Sequence, residues 1–145
     1  MGDQIELRRA ASEEEISSCF AVMSQLRPHL KQTEFVQRVR GQEKEGFRLA
    51  FLSCNGVVEA VAGYRIMNIL FSGRTLYVDD LVTNEKSRSR GFGEQLLEWI
   101  AETARKEKCD RLTLDSGVEK VHAHRFYHRM GMVITAHHFT WLRPL

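Results

Sequence analysis

The sequence lacks several features that would direct its reading elsewhere. No apolar run approaches the ~20 residues needed to span a bilayer. The opening Met1-Gly2-Asp3-Gln4 leads straight into Ile5-Glu6-Leu7, without a charged-then-apolar targeting pattern. Cysteine is sparse: Cys19, Cys54 and Cys109 are odd in number, far apart and without metal-ligand spacing. That argues against a disulfide framework or a zinc site and for a reducing compartment. Neither sign of charge dominates, because 21 Lys+Arg against 19 Asp+Glu leave a net charge of only +2. Such a balance does not imply a nucleic-acid partner. Internal repeats, low-complexity tracts and linker-like stretches are missing too. Together these absences predict a cytoplasmic protein with no membrane and no nucleic-acid partner.

What remains is a chain of ordinary composition whose 145 residues suit one domain, 1–145, with a real core. Ile5–Arg9 alternates weakly and predicts a short strand. Ser12-Glu13-Glu14-Glu15 has the form of a capping box. Ile16, Cys19, Phe20, Met23 and Leu26 then recur at helical spacing, predicting one helix over 12–27 limited by Pro28. Thr33 is placed to cap a second helix carrying Phe35, Val36 and Val39, ending near Gly41 or Gly46. From Phe47 the period changes. Residues 47–54 and 57–66 are β-type runs joined by Asn55-Gly56, a strong two-residue hairpin signal.

A third run, 75–83, follows the turn Ser72-Gly73. A long helix carries Phe92, Leu96, Leu97, Ile100, Ala101 and Ala104 on one face. Residues 111–115 read as a strand, and Ala123, Phe126, Tyr127 and Met130 mark a short helix stopped at Gly131. The tail from Met132 to Trp141 reads as one or two last strands. This order predicts an α/β (α+β) fold, a mixed sheet with helices on both faces.

The chemistry concentrates after Thr83. A strand, a polar loop with Arg88 and Arg90, and then Gly91-Phe92-Gly93 opening an amphipathic helix together make a phosphate site. The first backbone N–H groups of a helix lack internal partners and lie at the positive end of its dipole. Glycines at 91 and 93 remove side chains that would hold a pyrophosphate off, and the arginines add donors. Read more plainly, the segment is a basic surface turn at a helix start. A P-loop needs Gly, four residues, then Gly-Lys-Ser/Thr, which is missing here. The dinucleotide pattern G-x-G-x-x-G fails because its third glycine position is Leu96.

The loop resembles the Q/R-x-x-G-x-G/A signature of the GNAT acetyltransferase superfamily, with Arg88 first and Gly91 and Gly93 as the two glycines. The segment from Ala123 through Tyr127 and Gly131 to Met132 is similar to that family's A-x-x-x-Y-x-x-x-G-F. The resemblance covers most of the chain from Phe47 onward. It implies a mostly antiparallel central sheet of six to seven strands, splayed between the fourth and fifth. Acetyl-CoA is the implied co-substrate. Leu81, Val82 and Thr83 would pair with its pantetheine arm, and Arg88 with the backbone of Ser89, Arg90, Gly91, Phe92, Gly93 and Glu94 would hold its pyrophosphate. No metal is implied.

Aminolysis of a thioester needs a free amine lone pair and a proton for the departing thiolate. The resemblance makes Tyr127 the general acid, although it also lies on the packing stripe Ala123–Phe126–Met130. The pair Asp79-Asp80 before Leu81 resembles the acidic pair of diamine acetyltransferases, where the first acid is linked to amine handling. Asp79 is therefore the candidate base or amine anchor, and Asp80 a substrate contact. Neighbours in a strand point to opposite faces, so only one of the two is expected in a given cleft. Both also read as structural carboxylates that need partners.

Asp115 and Ser116, at the end of the fifth strand, are candidates for meeting the acceptor or for capping a turn. Lys120 stands where many members of the family carry Asn. His124 and His128 share i, i+4 spacing, but no H-E-x-x-H accompanies them. No cysteine lies in either motif, so an acyl-enzyme has no support. The implied activity is direct acetyl transfer to a primary amine of a small molecule within a ternary complex. Alternatives are a non-catalytic acyl-CoA sensor, or acetylation of a protein N-terminus or lysine. Because members of the family often pair, a homodimer is admitted as well.

Overall fold

The computed structural model describes residues 2–145, which fall into two compact units, one ending at Leu114 and the other spanning Asp115–Leu145. In the first unit, β1 (Ile5–Arg9) is followed by helices α1 (Glu13–Ser18), α2 (Phe20–Leu26) and α3 (Gln32–Glu43). Then come β2 (Arg48–Cys54), β3 (Val57–Ile69), β4 (Gly73–Thr83), a 3₁₀ turn (Glu85–Ser87), α4 (Phe92–Lys106) and β5 (Arg111–Leu114). The sheet order is β1-β2-β3-β4-β5, antiparallel throughout except for the parallel β4–β5 pair. Among the described residues no helix is long and apolar enough to cross a membrane.

Alternation along the strands assigns the two faces. Ala50, Leu52, Ala60, Ala62, Leu76 and Val78 pack with Phe92, Leu96 and Ile100 of α4. Leu49, Phe51 and Val61 look the other way and pack with Ile16, Val22, Met23, Phe35 and Val39 of α1–α3. The sheet of this unit is thus sandwiched between α4 and the three N-terminal helices. The hairpin forms at Asn55-Gly56, where both residues have positive φ (52° and 83°), as a type I′ turn requires.

Three expectations need correction. The sheet has five strands among the described residues and not six or seven, because 132–145 contributes none. A strand-like pattern becomes a strand only when a partner supplies its hydrogen bonds, and Val133, Ile134 and Phe139 remain exposed. The helix expected over 12–27 is two helices, parted at Cys19. There the Ser18 hydroxyl and the Cys19 thiol both donate to the Glu15 carbonyl, and the Cys19 N–H turns instead to Ile16. Lys31, and not Thr33, stands at the cap of α3, which runs through Gly41 and ends before Gly46 (φ 95°). The capping box at Ser12 forms as expected: Glu15 N–H donates to Ser12 Oγ, and Ser12 N–H to Glu15 Oε1.

In the second unit, α5 (Val121–Arg129) ends in a paired C-terminal lock. Gly131 takes φ 90°, its N–H bonds the His128 carbonyl, and Met132 N–H bonds that of Tyr127.

Leu96 is fully buried between α4 and the sheet. Leu96→Ala should cost about 2–5 kcal/mol, read as a lower urea midpoint at unchanged m-value.

Candidate active site

The first unit contains a cavity of about 390 Å³ between α2, α3 and the sheet, and both Asp79 and Asp80 line it. Their sharing it corrects the expectation that only one could. Gly63 of β3 pairs with Asp80 and Tyr64 with Val78, so β4 holds one extra residue, Asp79, against its neighbour. This β-bulge shifts the alternation by one. Val78 and Leu81 both face α4, and the two carboxylates between them are delivered to the same side.

Each carboxylate has an arginine. Arg65 grips Asp79 with a two-pronged contact, Nε to Oδ1 at 3.0 Å and Nη2 to Oδ2 at 2.6 Å, and its guanidinium lies 5.5 Å over the Phe47 ring. Arg65 pairs with Tyr77 in register, which makes Asp79 its diagonal neighbour on the same face. Arg27, just past α2, donates from Nε to Asp80 Oδ1 at 2.7 Å and from Nη2 to the Asp79 carbonyl at 3.2 Å. Asp80 Oδ2 accepts no hydrogen bond among the described residues. Burial raises the Asp80 pKa above the ordinary carboxylate range, and Arg27 pulls against that rise. Space for this arrangement comes from Gly63. A Cβ there would lie 2.9 Å from Asp80 Oδ2 and 2.5 Å from the Phe47 ring.

The loop after β4 turns twice through the left-handed region, at Ser89 (φ 69°) and Gly91 (φ 80°). Gly91 is the N-cap of α4 and offers no side chain, so no side-chain cap occupies the helix start. The first helical bond runs from Gln95 N–H to the Gly91 carbonyl, leaving the amides of Phe92, Gly93 and Glu94 without intrahelical acceptors. The two arginines differ. Arg90 bonds Asp3 Oδ2 at 3.1 Å and sits 4.7 Å over the Phe92 ring, whereas Arg88 is exposed and makes no ion pair among the described residues. β5 pairs with β4 only from Thr75 to Val78, so Leu81, Val82 and Thr83 lie beyond that ladder.

Tyr127, Asp115 and Ser116 belong to the second unit. Tyr127 meets the Phe126 ring edge-on at 5.5 Å, and burial raises its pKa, keeping the phenol protonated at neutral pH. Asp115 faces His138 at 3.2 Å. His124 donates from Nε2 to the Gly117 carbonyl (2.8 Å) and His128 from Nδ1 to that of Met132 (3.2 Å). No group of three or more metal-capable side chains occurs among the described residues.

Sequence reasoning missed Arg27, Arg65, Phe47 and Gly63. A signal existed for one of them: Arg65 is the one basic residue in an otherwise largely apolar strand run, and a neighbouring strand carries an unexplained acidic pair. Arg27→Gln should drive the Asp80 pKa further up, followed by carbon-detected NMR titration of its carboxyl. An unmoved carboxyl would show that Arg27 does not govern its ionisation.

The profile of the acetyltransferase (GNAT) family matches residues 11–132. A protein of Bacillus subtilis (strain 168), named uncharacterized N-acetyltransferase YhdJ, is 33% identical over 137 residues, covering 93% of this chain and 96% of that one. The fold is similar to that of aminoglycoside N-acetyltransferase AAC(6')-Iy in complex with CoA, with TM-score 0.87 at 13% identity, covering 100% of this chain and 98% of that one. The same enzyme with the bisubstrate analog CoA-S-monomethyl-acetylneamine gives TM-score 0.82 at 12% identity, covering 98% and 99%.

Proposed function

The chain belongs to the GNAT acetyltransferase family, and from that premise we propose that it transfers the acetyl group of acetyl-CoA to a primary amine of a small molecule, the whole chain acting as one catalytic domain. One observation carries the proposal: a single strand, β4, brings two carboxylates to a cavity and then leads, through the loop 84–91, to an uncapped helix start. An amine site and an anion site are thereby set along one element. Complexes of a structural neighbour with CoA and with a CoA-linked amine analog agree with this pairing of sites.

The residues fit acetyl-CoA. Uncapped amides at 92–94, together with the backbone of Ser89, Arg90 and Gly91, suit a pyrophosphate, and the unpaired Arg88 adds its charge. The β4 backbone at Leu81, Val82 and Thr83, past the end of the β5 ladder, suits the amide groups of the pantetheine arm. When bound, acetyl-CoA supplies the thioester carbon that the amine attacks.

On the amine side, Asp80 is the better base. Asp79 is gripped by both prongs of Arg65, which takes up both of its oxygens. Asp80 has one oxygen open and a raised pKa, so it binds an arriving ammonium and takes its proton, directly or through water. The amine nitrogen then forms the C–N bond as the C–S bond breaks. Tyr127 would give its phenolic proton to the departing sulfur and regain one, through solvent, from the second proton that the acylated nitrogen sheds. Asp79 holds Arg65 in place, and Asp115 and Ser116 are further candidates for meeting the acceptor.

Tyr127→Phe should reduce kcat by about 100-fold or more while acetyl-CoA affinity, measured by calorimetry, stays unchanged. In the wild type, kcat/KM should rise with pH through a value above the 3.8 of an ordinary aspartate, because the working base is the ionised carboxylate. Asp80→Asn should abolish that acidic limb. If Asp79→Asn abolishes it instead, the base is Asp79.

A further inference from the structure

The charges around the cavity narrow the acceptor, on the footing that the protein is an acetyltransferase. Both lining carboxylates are already answered, Asp79 by Arg65 and Asp80 by Arg27. A third arginine, Arg38 on α3, also lines the cavity, is exposed, and makes no ion pair or hydrogen bond among the described residues. Glu45 acts on Arg65 from outside the lining, and the lining itself holds no acidic side chain besides Asp79 and Asp80. His29 adds no negative charge.

A polycation entering here would meet the Arg38 guanidinium and find only one open carboxylate oxygen, Asp80 Oδ2, for its several positive charges. Like charges placed together disfavour binding and act as a filter against such ligands. The acidic pair Asp79-Asp80, read alone, suggests the opposite preference, and the arginines reverse it. The lining also includes an apolar part: Leu30, Phe35 and Leu49, with the Phe47 ring beneath Arg65. At about 390 Å³ the cavity lies toward the small end for ligand sites.

We propose that the acceptor is a free amino acid with an apolar side chain, its carboxylate held by Arg38, its ammonium directed to Asp80 Oδ2, and its side chain against the apolar wall. Arg38 acts here as a specificity-determining residue. A guanidinium pairs with a carboxylate through two parallel hydrogen bonds, which fixes orientation as well as charge. The proposal deepens the acetyltransferase reading by naming its substrate class.

The test is a thiol-release assay on the full chain with acetyl-CoA. Acceptors are leucine, methionine and phenylalanine, their carboxamides, spermidine and neamine. The amino acids should show the lowest KM values, about 10-fold or more below those of their amides. Arg38→Gln should raise KM for the amino acids by about 10- to 100-fold, move the amides far less, and so collapse the difference between them. Because Arg38 is exposed, an unchanged melting temperature is expected to accompany this loss. Amides that match the acids in the wild type, or a preference for spermidine or neamine, would overturn the amino-acid assignment and leave the acetyltransferase reading standing. If no amine releases CoA while acetyl-CoA still binds by calorimetry, the acetyltransferase reading falls, and this inference with it.

Discussion

Two adjacent carboxylates on a strand between packed helices pose a solvation problem. A charge withdrawn from water needs a partner of opposite sign, and neighbouring strand positions normally point apart. One extra residue in β4 answers the second difficulty, and two arginines from different elements answer the first. Much of the first unit is arranged around that solution. Arg27 reaches Asp80 from the end of α2, so this helical segment is tied to the sheet by an ion pair. Arg65 reaches from β3 to Asp79 of β4, and its guanidinium lies over the Phe47 ring. Such pairs add little net stability, since desolvation offsets much of their attraction. Their contribution is positional: they fix where the charges sit and which carboxylate oxygen stays open.

The cofactor side depends on different physics. No side chain specific to a phosphate is needed where backbone amides already point the right way, and the left-handed Gly91 leaves the start of α4 bare. Charge enters as an addition through Arg88, while Arg90 is spent on Asp3 and the Phe92 ring. The loop is therefore less uniformly basic toward a ligand than its composition suggests. On the proposed reading backbone geometry would carry the binding, which is why a short pattern of glycines can be recognised at all.

The same contrast explains what could be read from the residues. Elements with a periodic apolar face, such as α4 and β2–β4, were legible because burial imposes the period. The capping box at Ser12 and the Asn55-Gly56 hairpin were legible because their chemistry is local. The break at Cys19 was not, since it turns on which donor wins the Glu15 carbonyl. Nor was the bulge at Asp79, which exists only relative to the register of a neighbouring strand. Missing that bulge led to the two aspartates being assigned to opposite faces. The tail showed a strand pattern with no strand formed, because pairing is a property of two segments. The arginines of the cavity come from positions 27, 38 and 65, a separation that no local motif spans.

Gly63 shows how a residue without a side chain can be the least replaceable in a site. It touches no substrate in any reading of the cavity, yet the space above its Cα is shared by the Phe47 ring and the free oxygen of Asp80. Any larger residue there must displace an aromatic support of the helical layer and a titrating carboxylate together. In a mutational scan, abundance and activity would therefore fall in step at this position, with no substitution separating them. A position of that kind is easily filed as structural, and its constraint on chemistry goes unseen unless ionisation is measured alongside folding.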